Sequence, residues 1–176
     1  VDELRWKAPQ DNDSWSGTLD CVTTSKKCSQ YSSGAYSGSE DCLYLNVNRP
    51  NTDETGLPVI VYMHGGSNVS GSKSSFNTKN MVRRGNVIWV SINYRLGAFG
   101  FFSMDALKNG DPLDDSGNYA ILDIKKALEW VQENIEQFGG DKNNVTLAGF
   151  SAGSKNVASC LISPLFKGLF HKAVML

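Results

Sequence analysis

Two residue types that carry chemistry are scarce in this 176-residue chain, which holds two histidines and four cysteines. No cysteine pair has Cys-x-x-Cys spacing, and His64 and His171 stand far apart, so a zinc site lacks ligands in the required rhythm. Charge of either sign is not in excess. Seventeen basic and 18 acidic residues give a formal net charge of −1, which leaves no basic field to draw nucleic acid or anionic lipid. No apolar run approaches the roughly 20 residues of a membrane helix. The opening stretch VDELRWKAPQ does not read as a signal peptide. Beyond Ser151 there is no Asp or Glu, an absence that bears on the chemistry below.

The composition that remains, 40% hydrophobic and 20% charged, is ordinary for a globular domain, and the length supports one sizeable core. Cys28 and Cys42 bracket a polar stretch rich in Ser and Gly. A disulfide closing a loop of that size contributes about 3 kcal/mol in the chain-entropy model and implies an oxidising compartment. Four cysteines allow three connectivities, so a Cys21–Cys160 pair stays open. Asn12-Asp13-Ser14 and Asn68-Val69-Ser70 fit the glycosylation pattern.

Residues 1–41 are dominated by Ser, Gly, Asp and Asn, and read as loops wrapping a surface without forming a separate domain. In CLYLNVN, Leu43, Leu45 and Val47 alternate as in a half-exposed strand. LPVIVYMHGG, NVIWVSINY and NVTLAGFS are continuous apolar runs, which predict strands covered on both faces, as in a parallel sheet. Between the last two, Ile121, Ile124, Leu128, Val131, Ile135 and Phe138 recur at helical spacing. Ser116 or Asn118 is placed to cap this helix, Asp114 and Asp115 to meet its positive end, and Gly139 and Gly140 to stop it. A shorter helix is expected from Phe76 to Arg84, ended by Gly85. Strand and helix alternate, so the expected class is α/β. HKAVML begins one more apolar strand at the end of the sequence.

The candidate chemistry lies in NVTLAGFSAGS. Ser151 sits in Gly-x-Ser-x-Gly between a predicted strand and a predicted helix. In such a turn the serine is forced to positive φ, and the departing helix crowds the arriving strand, so Gly149 and Gly153 must be small. The free N–H groups of the helix start then face the oxygen, with that of Ala152 as one natural donor to an oxyanion. HGGSNVSG follows another strand, and the N–H groups of Gly66 and Ser67 are placed to complete the hole.

SEDCLYLNV, PVIVYMHGG, SINYRLGAFGFF, GNYAILDIKKALEWVQENIEQFGGD and NVTLAGFSAGS occur in an order that resembles the type-B carboxylesterase/lipase family, the cholinesterase-like branch of the α/β-hydrolases. The resemblance runs along essentially the whole chain. It implies the N-terminal part of an α/β-hydrolase fold, with a mostly parallel sheet and helices on both faces. It also implies ester hydrolysis through an acyl-enzyme, with Ser151 as nucleophile, Gly66, Ser67 and Ala152 at the oxyanion positions, and Cys28 and Cys42 as the family's first disulfide. No metal or organic cofactor is implied. The sequence departs from the family at three points. Ser67 stands where a third glycine is usual, and its Cβ restricts the backbone. Phe150 stands where a glutamate is usual, which removes a carboxylate able to stabilise an imidazolium. The Cys28–Cys42 loop has no Trp, which argues against choline esters.

A serine hydroxyl needs a base. His171 precedes a strand expected to run parallel to the one delivering Ser151, which puts it about 17 Å away at the other end of the sheet. His64 ends its strand at the correct edge but directly precedes the oxyanion glycines, so a loop-supporting role is favoured. The acid and histidine of a triad are therefore expected in a C-terminal portion outside these residues, which would be a partner of this chain. The isolated chain is expected to be inactive, the parent protein secreted, and its substrate a small neutral ester. The alternative is an esterase-like binding or adhesion protein. Trp89 and the GAFGFF residues Phe99, Phe101 and Phe102 read as core or cover, with pocket lining as the other option. Arg95 reads as half of a structural ion pair, with Asp123 a possible partner, and Lys125 and Glu129 as a surface pair.

Overall fold

The computed structural model describes residues 2–22 and 26–176. In chain order its elements are β1 (Gln30–Ser32), β2 (Ala35–Ser37), β3 (Leu45–Asn48), β4 (Leu57–Met63), α1 (Lys79–Gly85), β5 (Ile88–Ile92), α2 (Gly97–Gly100), α3 (Tyr119–Asn134), β6 (Gly140–Gly149), α4 (Ala152–Ile162) and β7 (Lys172–Met175). The apolar runs become a five-stranded sheet ordered β3-β5-β4-β6-β7. Only β3 runs antiparallel to its neighbour; the other pairings are parallel. Both faces are covered, which is why the central runs do not alternate. Val59, Val61 and Leu147 point to a core shared with Ile124, Leu128 and Val131 of α3 and Val157 of α4. Tyr62, Trp89 and Ala148 point the other way, against Val82 of α1. Among the described residues no helix is long and apolar enough to cross a membrane.

Residues before β3 are mostly irregular, but the stretch inside the cysteine loop is not a featureless polar loop. Cys28 and Cys42 are joined by a disulfide, and β1 and β2 pair within it as a hairpin. Ser33 and Gly34 both take positive φ, the geometry of a two-residue type I′ turn, so the Ser-Gly pair carries the signal. Cys21 is exposed and Cys160 buried, and neither is bridged, which removes the Cys21–Cys160 connectivity.

Several element boundaries differ from the expectation. The short helix begins at Lys79, and the residue that leaves it in left-handed conformation is Asn86, not Gly85. Asn tolerates that region because its short polar side chain bonds locally. Phe76 stays outside the helix and packs on Tyr62 and Trp89, 5.4 Å from each ring. Leu43 lies before β3 and is exposed. Asn118 takes the N-cap position of α3 without a side-chain cap bond, because its amide donates to the Ser116 carbonyl. Asp114 and Asp115 form a separate turn outside the first turn of α3, and they accept N–H bonds from Ala8, Asn109 and Gly110. The helix tightens to 3-10 geometry at Ile135, and Gly139 then turns the chain at φ 80°. Phe138, counted on the buried face, is partly exposed and rests on Trp130.

Candidate active site

Ser151 stands between β6 and α4 at φ 55°, ψ −115°, a region that residues bearing a Cβ rarely occupy. The crossing is so close that each flanking glycine has a reason. A Cβ on Gly149 would overlap the Gly153 carbonyl group, and one on Gly153 would overlap the Met63 carbonyl oxygen. A third glycine, Gly65, belongs to the same contact: its Cβ would lie 2.9 Å from the Phe150 oxygen and 3.1 Å from the Ser151 Cβ. The loop after β4 therefore presses directly against the serine. The turn is fixed by backbone bonds from Phe150 to Met63 (3.2 Å), Gly153 to Phe150 (2.8 Å) and Ser151 to the Leu176 carbonyl (2.8 Å).

Among the described residues, the N–H groups of Gly66, Ser67 and Ala152 donate to no protein acceptor outside regular elements. Gly66 and Ser67 both have positive φ, 110° and 55°. The Cβ of Ser67 is thus accommodated in left-handed backbone, although it restricts that backbone. Phe150 is 54% exposed beside the serine and brings no charge there.

Neither histidine is placed to act on Ser151. His64 is 2% exposed; its Nδ1 donates to the Gly65 carbonyl at 2.7 Å and its ring stacks on Tyr94 at 4.5 Å. The Tyr94 hydroxyl donates to the His64 carbonyl at 2.6 Å. Burial pushes the imidazole pKa down, so His64 is neutral and supports the loop, as expected. His171 directly precedes β7 beside the middle of β6, where its Nδ1 accepts the Val145 N–H at 3.2 Å. Leu176 bonds to Ser151 while His171 bonds to Val145, so the histidine lies about five residues, or about 17 Å, along the strand.

The ion-pair expectation resolves clearly. Arg95 grips Asp123 through two guanidinium bonds (2.8 and 2.7 Å) and its own backbone N–H (3.0 Å). Burial raises the Asp123 carboxyl pKa, and the Arg95 bonds oppose it. Both carboxylate oxygens accept N–H groups of Arg95, a buried bidentate contact that makes this a structural pair. Lys125 and Glu129 pair as expected. Trp89 is core, and Phe102 rests on Trp6, while Phe99 lines a cavity of about 360 Å³ beneath the N-terminal segment, away from Ser151. Asn68 of the second glycosylation pattern turns its amide to Asn156. Asn156, Gln30 and Tyr94 give no sequence signal of a site; only the fold brings them to the loop.

Known proteins resemble the chain over nearly its whole length. The model of the family described as "Carboxylesterase family" matches residues 1–176. The chain is 41% identical to the para-nitrobenzyl esterase of Bacillus subtilis (strain 168), over 99% of this chain and 37% of that protein. It is 40% identical to the human cocaine esterase, over 98% of this chain and 33% of that protein. A solved PNB esterase superposes with a TM-score of 0.88 at 42% identity, covering 97% of this chain and 36% of the other. A Geobacillus stearothermophilus carboxylesterase does so with a TM-score of 0.89 at 39% identity, covering 98% and 36%. The chain thus spans about a third of the length of the relatives it matches.

Proposed function

The chain belongs to the carboxylesterase family, and from that premise we propose that it is the N-terminal third of a serine carboxylesterase with Ser151 as nucleophile. The observation that carries the reading is the serine's positive-φ turn, held by three glycines with no room for a Cβ. Ser151 Oγ attacks the ester carbonyl carbon and gives its proton to a base. The oxygen that becomes negative accepts hydrogen bonds from the N–H groups of Gly66, Ser67 and Ala152. Collapse expels the alcohol, which takes up the proton, and leaves an acyl-serine that water hydrolyses. The base is a histidine oriented by a carboxylate, both supplied by sequence beyond these 176 residues; the commitments of His64 and His171 support this. The substrates are neutral, moderately apolar esters, a reading supported by the apolar, exposed Phe150 beside the serine. The Cys28–Cys42 disulfide fits an oxidising compartment, and we place the protein outside the cell.

The test is steady-state hydrolysis of a p-nitrophenyl ester by the full-length protein. Ser151→Ala is expected to lower kcat by about 10⁴-fold or more while leaving the fold intact. The 176-residue chain alone is expected to show no turnover above that variant. Full-length protein that is folded yet inactive would favour a binding or adhesion role, and robust turnover by the short chain would refute the missing triad.

A further inference from the structure

The loop after β4 is held in an unfavourable shape. Gly66, Ser67 and Asn68 follow one another at positive φ, 110°, 55° and 57°, and two of the three carry a Cβ. Each such residue costs about 1 kcal/mol or more, so a loop left to itself drifts from this shape. Its last residue, Gly71, exchanges hydrogen bonds with the buried side chain of Gln30 at 3.0 and 2.9 Å. Its middle is held by another device. The side-chain amides of Asn68 and Asn156 form a reciprocal pair, each Nδ2 donating to the other's Oδ1, at 3.1 and 3.0 Å. Asn156 is 3% exposed and lies on α4, the helix whose first residue is Ala152. The Asn68 carbonyl also accepts the Gly97 N–H at 2.7 Å.

We propose that Asn68 and Asn156 are a pair of positioning residues that latch the oxyanion loop to the nucleophile helix. This rests on the reading of Ser151 as nucleophile given above. The helix is rigid over the four residues from Ala152 to Asn156, so a two-bond contact at Asn156 fixes the loop relative to the Ala152 N–H. The latch holds Ser67 and Asn68 left-handed and keeps the Ser67 N–H turned to the site. It takes over what the conformational freedom of a glycine would otherwise supply at position 67. Loss of either amide removes both bonds, and loss of Asn68 also leaves the buried Asn156 amide without its partner, so either deletion undoes the whole contact. A misplaced oxyanion donor weakens the transition state far more than the bound ester, so the effect falls on kcat.

The experiment uses the full-length protein with Asn68→Ala, Asn156→Ala and the double variant. Each single change is expected to lower kcat for a p-nitrophenyl ester about tenfold with KM within twofold, and the double variant to be no worse than either single one. Hydrogen exchange followed by mass spectrometry is expected to speed at least tenfold in peptides covering residues 65–71, with the unfolding midpoint of the sheet core little changed. Unchanged exchange in those peptides, additive losses in kcat, or losses that only track the unfolded fraction would overturn the latch. A wild-type protein without Ser151-dependent turnover would overturn the esterase reading alone; faster exchange in the variants would still support the latch.

Discussion

At Ser151 the backbone carries strain of about 1–3 kcal/mol, and the residues around it show what sustains that strain. Gly153 has the Met63 carbonyl oxygen where a side chain would begin. Gly153→Ala is expected to cost about 1–3 kcal/mol or more in urea unfolding and to abolish turnover, because no flexible group is there to give way. His64 gives a pH signature. Its pKa is lowered by burial, so the unfolded chain binds the proton first as pH falls. The stability from keeping it neutral is full above the unfolded value near 6.5 and declines below it. The urea midpoint is expected to drop between pH 7 and 5.5, and to drop less in His64→Gln; equal slopes would show that His64 does not titrate in this way. Gly149, Gly153 and Ser151 were legible from five residues of sequence because their constraint is local. Gly65 and Asn156 were not, because what limits them comes from elements far away in the chain.

Between elements, the strongest polar link joins the end of β5 to α3. Asp123 has no exposed side-chain surface and takes three bonds from Arg95. Removing the carboxylate leaves a guanidinium that is only 11% exposed without its counter-ion. Asp123→Ala is therefore expected to cost about 3–5 kcal/mol, read as a lower urea midpoint, with KM unchanged in whatever protein remains folded. The apolar stripe of α3 announced that helix well, since burial against the sheet imposes its period. The ends were harder to read. Asp114 and Asp115 looked like residues for the helix start but are occupied by N–H groups of a neighbouring loop, and Asn86 displaced Gly85 as the left-handed residue. Capping side chains choose among several local partners of similar energy, and the sequence does not rank them.

Across the whole molecule, a largely parallel sheet under two layers of helix brings the end of β4 and the end of β6 to one edge. That is why two separate glycine motifs meet at one serine. The strand order is not legible from apolar runs alone; the alternation of strand and helix implies the α/β class, the resemblance implies the particular fold, and the pairing of β4 with both β5 and β6 completes it. The disulfide ties the N-terminal hairpin to this frame, and Gln30 of that hairpin reaches Gly71 of the loop after β4. Cys28→Ser with Cys42→Ser is expected to lower stability by about 3 kcal/mol, as is reduction of the wild type. A double variant as stable as the oxidised protein would show that the hairpin is held by its hydrogen bonds alone.

The central claim is that a reactive alcohol sits at the β6–α4 bend. It is tested most directly by treating the full-length protein with a fluorophosphonate and mapping the adduct by peptide mass. The account predicts stoichiometric phosphonylation of Ser151, none in Ser151→Ala, and none in the 176-residue chain, whose two histidines bond to Gly65 and Val145. Folded full-length protein that stays unmodified, or an adduct on any other residue, would contradict it.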